Sequence, residues 1–219
     1  MEFSQGVKVE WEPGVHHQGL CPLCRVEAEH KAILKISTGA ERMPYDATFL
    51  CAACEGVFSY PFVYPDYSED YSFPDYTRYY CEIGAGVGSM IEAVQNVCRA
   101  RHIGSMIDVG CGTPFTADFA RRHLGVDAKG VDPSNYAKQY AGLMEVPLSS
   151  ALLGFGSQFD SQKFDLVFSS EVVEHVEDPV GFVELLADYV APNGILVLTT
   201  PSAEFVAERP SPLDTMSSI

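Results

Sequence analysis

Residues 106–116, Met106-Ile107-Asp108-Val109-Gly110-Cys111-Gly112-Thr113-Pro114-Phe115-Thr116, decide how this chain folds. An apolar strand leads into an acid, two glycines follow one residue apart, and a helical pattern, TADFARRHL (116–124), begins at once. Glycines at 110 and 112 let the backbone turn sharply and approach a ligand where a Cβ would collide. Amides at the start of the following helix favour an anionic group. A second strand, AKGVD (128–132), ends on Asp132, 24 residues after Asp108. A carboxylate there can accept hydrogen bonds from both hydroxyls of a ribose, so strand, loop, helix, strand and terminal acid together point to a bound nucleoside.

Outward from this centre, short strands and helices alternate. NYAKQYAGLM (135–144) reads as a helix, FDLVFSS (164–170) as a buried strand, PVGFVELLADYV (179–190) as a helix and GILVLTT (194–200) as a strand. Upstream, SMIEAVQNVCRARH (89–102) is an amphipathic helix with Met90, Ile91, Val94, Val97 and Cys98 apolar. Such alternation predicts an α/β fold with a parallel, Rossmann-like sheet and crossover helices. A competing glycine run, Glu82-Ile83-Gly84-Ala85-Gly86-Val87-Gly88, matches a nucleotide loop by letters alone. It follows DYTRYYC, a poor buried strand, and choosing it would leave DVGCGT and GVDPS without a role. It is read as a helix-entry turn.

The N-terminal third has a different character. Seven cysteines are present, and four form two pairs, Cys21-Pro-Leu-Cys24 and Cys51-Ala-Ala-Cys54, with 26 residues between them. Each pair can wrap one face of a metal ion, and four thiolates satisfy the tetrahedral preference of Zn²⁺. A closed four-sulfur shell is structural, with a hairpin absorbing the long separation and Gly56 letting the second knuckle turn back. His16, His17 and His30 lie nearby as substitute ligands that four cysteines do not need. The expected organisation is a loose leader over 1–14, a zinc-ribbon-like module over 15–60 and a Tyr/Pro-rich extended connector over 61–80. A core over 81–202 and a tail over 203–219 complete it.

A net charge of −16 repels polyanions, so DNA and bulk RNA are disfavoured as partners. No apolar run of about 18 residues occurs, which excludes a membrane helix, and no basic-then-apolar leader marks secretion. A cytoplasmic location is the default expectation.

With these motifs in place, the sequence resembles the class I S-adenosylmethionine (SAM)-dependent methyltransferases over roughly residues 100–202. DVGCGT (108–113) matches their first motif and GVDPS (130–134) their ribose-binding acid. KFDLVFSSEVVEHVEDP (163–179) looks like their fourth strand and following loop, and APNGILVLTTPS (191–202) like their fifth strand. The resemblance implies that Asp132 holds the ribose of SAM, that Gly110 and Gly112 line its loop, and that Asp108 helps position the methionyl amine. Cys111, Pro133, Ser170 and Glu171 complete the expected cofactor-binding set. Pro114 stands where the family has a third glycine, removing an amide donor. The acid that many members use on the adenine amine has no clear counterpart between 143 and 164; Asp160 is read as part of the loop before the strand.

The segment Ser170-Glu171-Val172-Val173-Glu174-His175 supplies candidate chemistry, with His175 as base and Glu174 orienting it. Within the superfamily the same pattern also serves as metal ligands in small-RNA and quinone O-methyltransferases, or simply as helix packing. Deoxysugar C-methyltransferases use a Glu-His pair near the sugar and carry an N-terminal region with paired cysteines, as here. The resemblance therefore implies methylation of a small molecule, with a nucleotide-linked sugar or saccharide as candidate acceptor. Two alternatives stay open: a non-catalytic SAM-fold and zinc module, or methylation of RNA or protein. After Ser202 only 17 residues follow, offering none of the family's last strands. The chain thus reads as a piece of a longer protein or a trimmed variant.

Overall fold

A computed structural model describes residues 7–10, 16–38, 47–60, 62, 78 and 86–202. The chain divides into two compact units. One comprises Met1–Pro65, Glu174–Val180 and Thr200–Ile219, and the other Asp66–Val173 and Gly181–Thr199. The Tyr/Pro-rich connector lies outside the described residues except at 62 and 78, and so does the tail beyond 202.

In the first unit an antiparallel sheet is built from β1 (Val7–Glu10), β2 (His16–Leu20), β3 (Glu27–Thr38), β4 (Ala47–Cys51) and β5 (Val57–Tyr60). β3 is long enough for two strands to share one edge, β2 against Glu27–Lys31 and β1 against Lys35–Thr38. Residues 7–10, expected within a loose leader, are therefore a paired strand. The expected hairpin between the cysteine pairs is β3–β4, followed by β4–β5. Phe49, Phe58 and Ala32 form the core beside Cys21 and Cys51. A small core of this kind supports few buried side chains and gains from a cross-link.

In the second unit five strands form a sheet in the order β10-β9-β6-β7-β8, every pair parallel. The strands are β6 (Ser105–Val109), β7 (Asp127–Val131), β8 (Leu148–Ser149), β9 (Phe164–Ser170) and β10 (Val190–Thr199). Helices α1 (Val87–Ala100), α2 (Phe115–Leu124), α3 (Asn135–Met144) and α4 (Pro179–Asp188) fall where periodicity places them. α1 begins after Gly86 at φ +71°, so this end of the competing glycine run is a helix entry; residues 81–85 lie outside the described set.

Alternation along the strands sorts the core into two faces, as a period of two requires. Met106, Leu166 and Phe168 pack with Val94 of α1 and Ala117 and Ala120 of α2. Ile107, Val109 and Val167 point the other way, onto Leu186 of α4. Both faces of β6 and β9 are covered, which explains their nearly unbroken apolar runs. From β6 the chain moves outward through β7 and β8, then returns to β9 on the opposite side of β6. The order thus reverses between β6 and β9, and at such a point open α/β sheets receive ligands in the crevice beyond the carboxyl ends of their strands.

Candidate functional site

The loop leaving β6 is shaped by two left-handed glycines, Gly110 at φ +71° and Gly112 at φ +49°. A Cβ on Gly110 would lie 2.4 Å from Cγ2 of Val172, so this position is closed to any side chain by space as well as by conformation. The Gly110 and Cys111 amides both donate to the Val131 carbonyl, at 2.8 and 3.2 Å, folding the loop over the end of β7.

Asp132, just beyond β7, accepts the Gly112 amide on Oδ2 at 2.8 Å and the Ser134 amide on Oδ1 at 2.9 Å. The Ser134 hydroxyl also donates to Oδ1, while its oxygen accepts the Ala137 amide and caps α3. Asp132 is thus 7% exposed, with three of a carboxylate's roughly four acceptor positions filled. One ribose hydroxyl can be received without disturbing the loop; a second needs the Gly112 amide to let go. Pro133, between the acid and its serine, is exposed.

Asp108 sits near the end of β6 at 4% exposure. Burial, and then the charge of Asp132, push its carboxyl up to about 8. It holds its proton at neutral pH until a cation arrives to share the site. Burial also drives the Cys111 thiol well above its usual range, with the two aspartates adding to the effect. That thiol is not a nucleophile at physiological pH.

Thr113 carries an informative irregularity. Its Oγ1 is buried, the residue being 5% exposed, and has no hydrogen-bond partner among the described residues. At the same turn Pro114 has no amide, and the Phe115 amide is folded back onto the Thr113 carbonyl at 2.7 Å. An orphaned buried hydroxyl costs about 1–3 kcal/mol unless something occupies it. Together with the crevice, the glycine cradle and Asp132, it fits a nucleoside cofactor. Asp160 is committed elsewhere, as expected: it accepts the Gly154 and Gly156 amides at 2.8 and 2.9 Å and the Tyr189 hydroxyl at 3.1 Å.

At the end of β9, Ser170 Oγ and Thr199 Oγ1 are 2.6 Å apart, and Thr199 donates to Glu171 Oε1 at 3.1 Å. In the other unit, Glu174 Oε2 accepts the Thr200 hydroxyl at 3.1 Å, and His175 Nε2 lies 4.0 Å from Glu174 Oε1. The imidazole faces its glutamate beyond hydrogen-bond distance and is half exposed. Sequence reasoning missed Thr199 and Thr200; the available signal was a pair of threonines closing a strand whose register puts Thr199 opposite Ser170. It also missed Ser134, whose place between the acid and a helix marks it as an N-cap.

The four cysteines of the first unit converge. Their sulfurs all lie within 4.8 Å of one another, with Cys21–Cys54 and Cys24–Cys51 both at 3.9 Å. Four Zn–S bonds of about 2.3 Å place tetrahedral sulfurs about 3.8 Å apart, so the cluster has the donor set and spacing for zinc. Each knuckle turns through a left-handed residue after its second cysteine, Arg25 and Glu55, both at φ +58°. Gly56 is not that turn residue: it lies against the second knuckle, where a Cβ would come 3.1 Å from Cys54 Sγ and 2.4 Å from the movable Leu23 Cδ1. Although desolvation raises it, the Cys51 thiol is drawn down to about 6 by the Cys54 and Ala53 amides and the neighbouring thiols. The histidines stand apart. His16 meets Glu29 at 3.5 Å, His17 stacks on Tyr60, and buried His30 donates Nε2–H to the Gly19 carbonyl at 2.9 Å.

Comparison with known proteins agrees with this geometry. A family model described as a methyltransferase domain matches residues 68–217. The ubiquinone biosynthesis O-methyltransferase of Rhodopseudomonas palustris (strain HaA2) is 33% identical over 99 residues, covering 43% of this chain and 39% of that protein. The mitochondrial ubiquinone biosynthesis O-methyltransferase of Schizosaccharomyces pombe is 38% identical over 109 residues, covering 47% and 39%. The chain thus spans about two fifths of the curated relatives it matches. Among solved structures, the plantazolicin methyltransferase BpumL in complex with SAH aligns with a TM-score of 0.51 at 14% identity. That alignment covers 67% of this chain and 56% of BpumL, and it speaks to the fold. Among the described residues no helix is long and apolar enough to cross a membrane.

Proposed function

Because this chain belongs to the methyltransferase-domain family, we propose that it transfers a methyl group from SAM to a hydroxyl-bearing small molecule. The observation that carries the reading is the join of Asp132 to Gly112 at the strand-order crevice, with the orphaned Thr113 hydroxyl in the same loop. Asp132 receives a ribose hydroxyl, Gly110 and Gly112 admit the cofactor close to the backbone, and Asp108 meets its cationic methionyl end. Cys111 and Pro133 flank these contacts as part of the loop walls. Bound SAM supplies an electrophilic methyl whose transfer to oxygen leaves the sulfur as a thioether with the bonding electron pair.

The chain's own task is to free the acceptor oxygen of its proton. His175, five residues after the end of β9, is the base that takes it; Glu174, anchored by Thr200 with Oε1 4.0 Å from Nε2, orients the imidazole once the pair closes to hydrogen-bond distance. The cysteine cluster plays no chemical part, since four thiolates leave zinc no open position.

Two acceptor classes follow from different observations. The paired cysteines and the Glu-His pair favour a nucleotide-linked sugar, and the matched relatives, named as ubiquinone biosynthesis O-methyltransferases, favour a hydroxyl-bearing ubiquinone precursor such as a phenol. Incubation with methyl-labelled SAM and a panel of both classes tests this. Label transferred to a sugar or phenol, reduced at least about 100-fold by His175→Ala, supports the reading. Label on neither class, or transfer indifferent to His175→Ala, contradicts it.

A further inference from the structure

The turn that leaves β9 is held more tightly than the sheet requires. Glu171 adopts φ +56°, a left-handed conformation that a side chain disfavours and that persists only where the surroundings impose it. Its amide donates to the Thr199 carbonyl at 3.0 Å, and its Oε1 accepts the Thr199 hydroxyl at 3.1 Å. Thr199 therefore grips Glu171 at both backbone and carboxylate. The carboxylate oxygen accepts, so Thr199 is the donor here. Its 2.6 Å contact with Ser170 must then run from the serine hydroxyl to the threonine oxygen. The result is a one-way chain, Ser170 to Thr199 to Glu171, in which each bond polarises the next.

Glu171 itself is exposed, so water would satisfy its carboxylate without a dedicated donor. What the threonine adds is direction. The next residue, Val172, packs against Gly110, which ties the same turn to the glycine loop across the strand-order reversal. A charge fixed in space at the mouth of a ligand crevice matters when the ligand carries the opposite charge.

We propose that Thr199 is a positioning residue that aims the Glu171 carboxylate at the cationic methionyl end of the bound cofactor. This rests on the reading of the crevice as a SAM site. Ser170 completes the chain by orienting the threonine hydroxyl.

Calorimetric titration of SAM into the wild type, Thr199→Val, Thr199→Ser, Glu171→Gln and the Thr199→Val/Glu171→Gln double variant tests the assignment. Thr199→Val weakens SAM about 5- to 10-fold, the size of one hydrogen bond to a charged group at a partly exposed site, and Thr199→Ser restores it. In the Glu171→Gln background Thr199→Val makes no further difference, because the threonine acts only through the glutamate. Thr199→Ala serves the same comparison if Thr199→Val folds poorly. Equal losses in both backgrounds, or wild-type affinity in Thr199→Val, overturn the role of Thr199 while leaving the SAM site standing. A wild type that binds no SAM overturns the site reading and the proposal together.

Discussion

Asp132 Oδ2 accepts the Gly112 amide at 2.8 Å, which ties the acid beyond β7 to the loop that leaves β6. Recognition of a ribose and the shape of the glycine loop are therefore one structural question. Asp132→Ala removes the ribose acceptor and strands a buried amide in one step. We expect SAM affinity to fall at least about 30-fold, corresponding to roughly 2 kcal/mol, along with a loss of thermal stability. Unchanged affinity in calorimetry would mean that another acid holds the ribose.

Asp108 gives the protein a signature in pH. Its carboxyl titrates near 8 in the folded chain against an ordinary value of 3.8, because it is buried and faces Asp132. Between those values the folded chain holds a proton that the unfolded chain has lost, so this group makes stability fall as pH rises from about 4 to about 8. Chemical denaturation at pH 5, 6.5 and 8 should show a downward slope in the wild type that is shallower in Asp108→Asn. Identical slopes would place the buried proton elsewhere.

The Thr113 hydroxyl separates folding from binding. In the free protein it is buried without a partner among the described residues, so Thr113→Val should leave stability unchanged or raise it by about 1 kcal/mol. In the complex the hydroxyl has a ligand to bond, so the same change should weaken SAM about 10-fold. Stability and affinity falling together would show the hydroxyl to be part of the scaffold.

Gly110→Ala meets two obstacles, φ +71° and Val172 Cγ2 at 2.4 Å from the new methyl. A destabilisation of about 2 kcal/mol or more is expected. Val172→Ala in the same chain should recover the steric part and leave the conformational part. Equal melting temperatures for the single and double variants would show that the valine does not close this site.

Elemental analysis should find about one zinc per chain, lost in Cys51→Ser together with the fold of β2–β5, since binding free energy at a four-cysteine site is folding free energy. A zinc-free protein with an unaltered N-terminal sheet would remove the structural role.

Much of the second unit was legible because its signals are local and periodic. The apolar runs ending at Val109 and Ser170 are strands buried on both faces, and Gly110, Gly112 and Asp132 follow at fixed chemical distances. The two-residue β8 carried too few positions for any period to show. Val7–Glu10 was unreadable as a strand because its pairing partner, Lys35–Thr38, lies far along the chain. The cysteine pairs announced their cluster by spacing, yet the left-handed residues of the knuckles are Arg25 and Glu55, which no glycine preference identifies. Thr199 and Ser170 became partners only through strand register, which a single sequence does not reveal.

The proposed SAM site beyond β6 and β9 stands or falls with Asp132. Titrating SAM into the wild type and into Asp132→Ala by calorimetry tests it most directly. Saturable one-to-one binding in the wild type and its loss in the variant are expected. No heat from SAM with the folded wild type, or equal affinity in the two proteins, would contradict it.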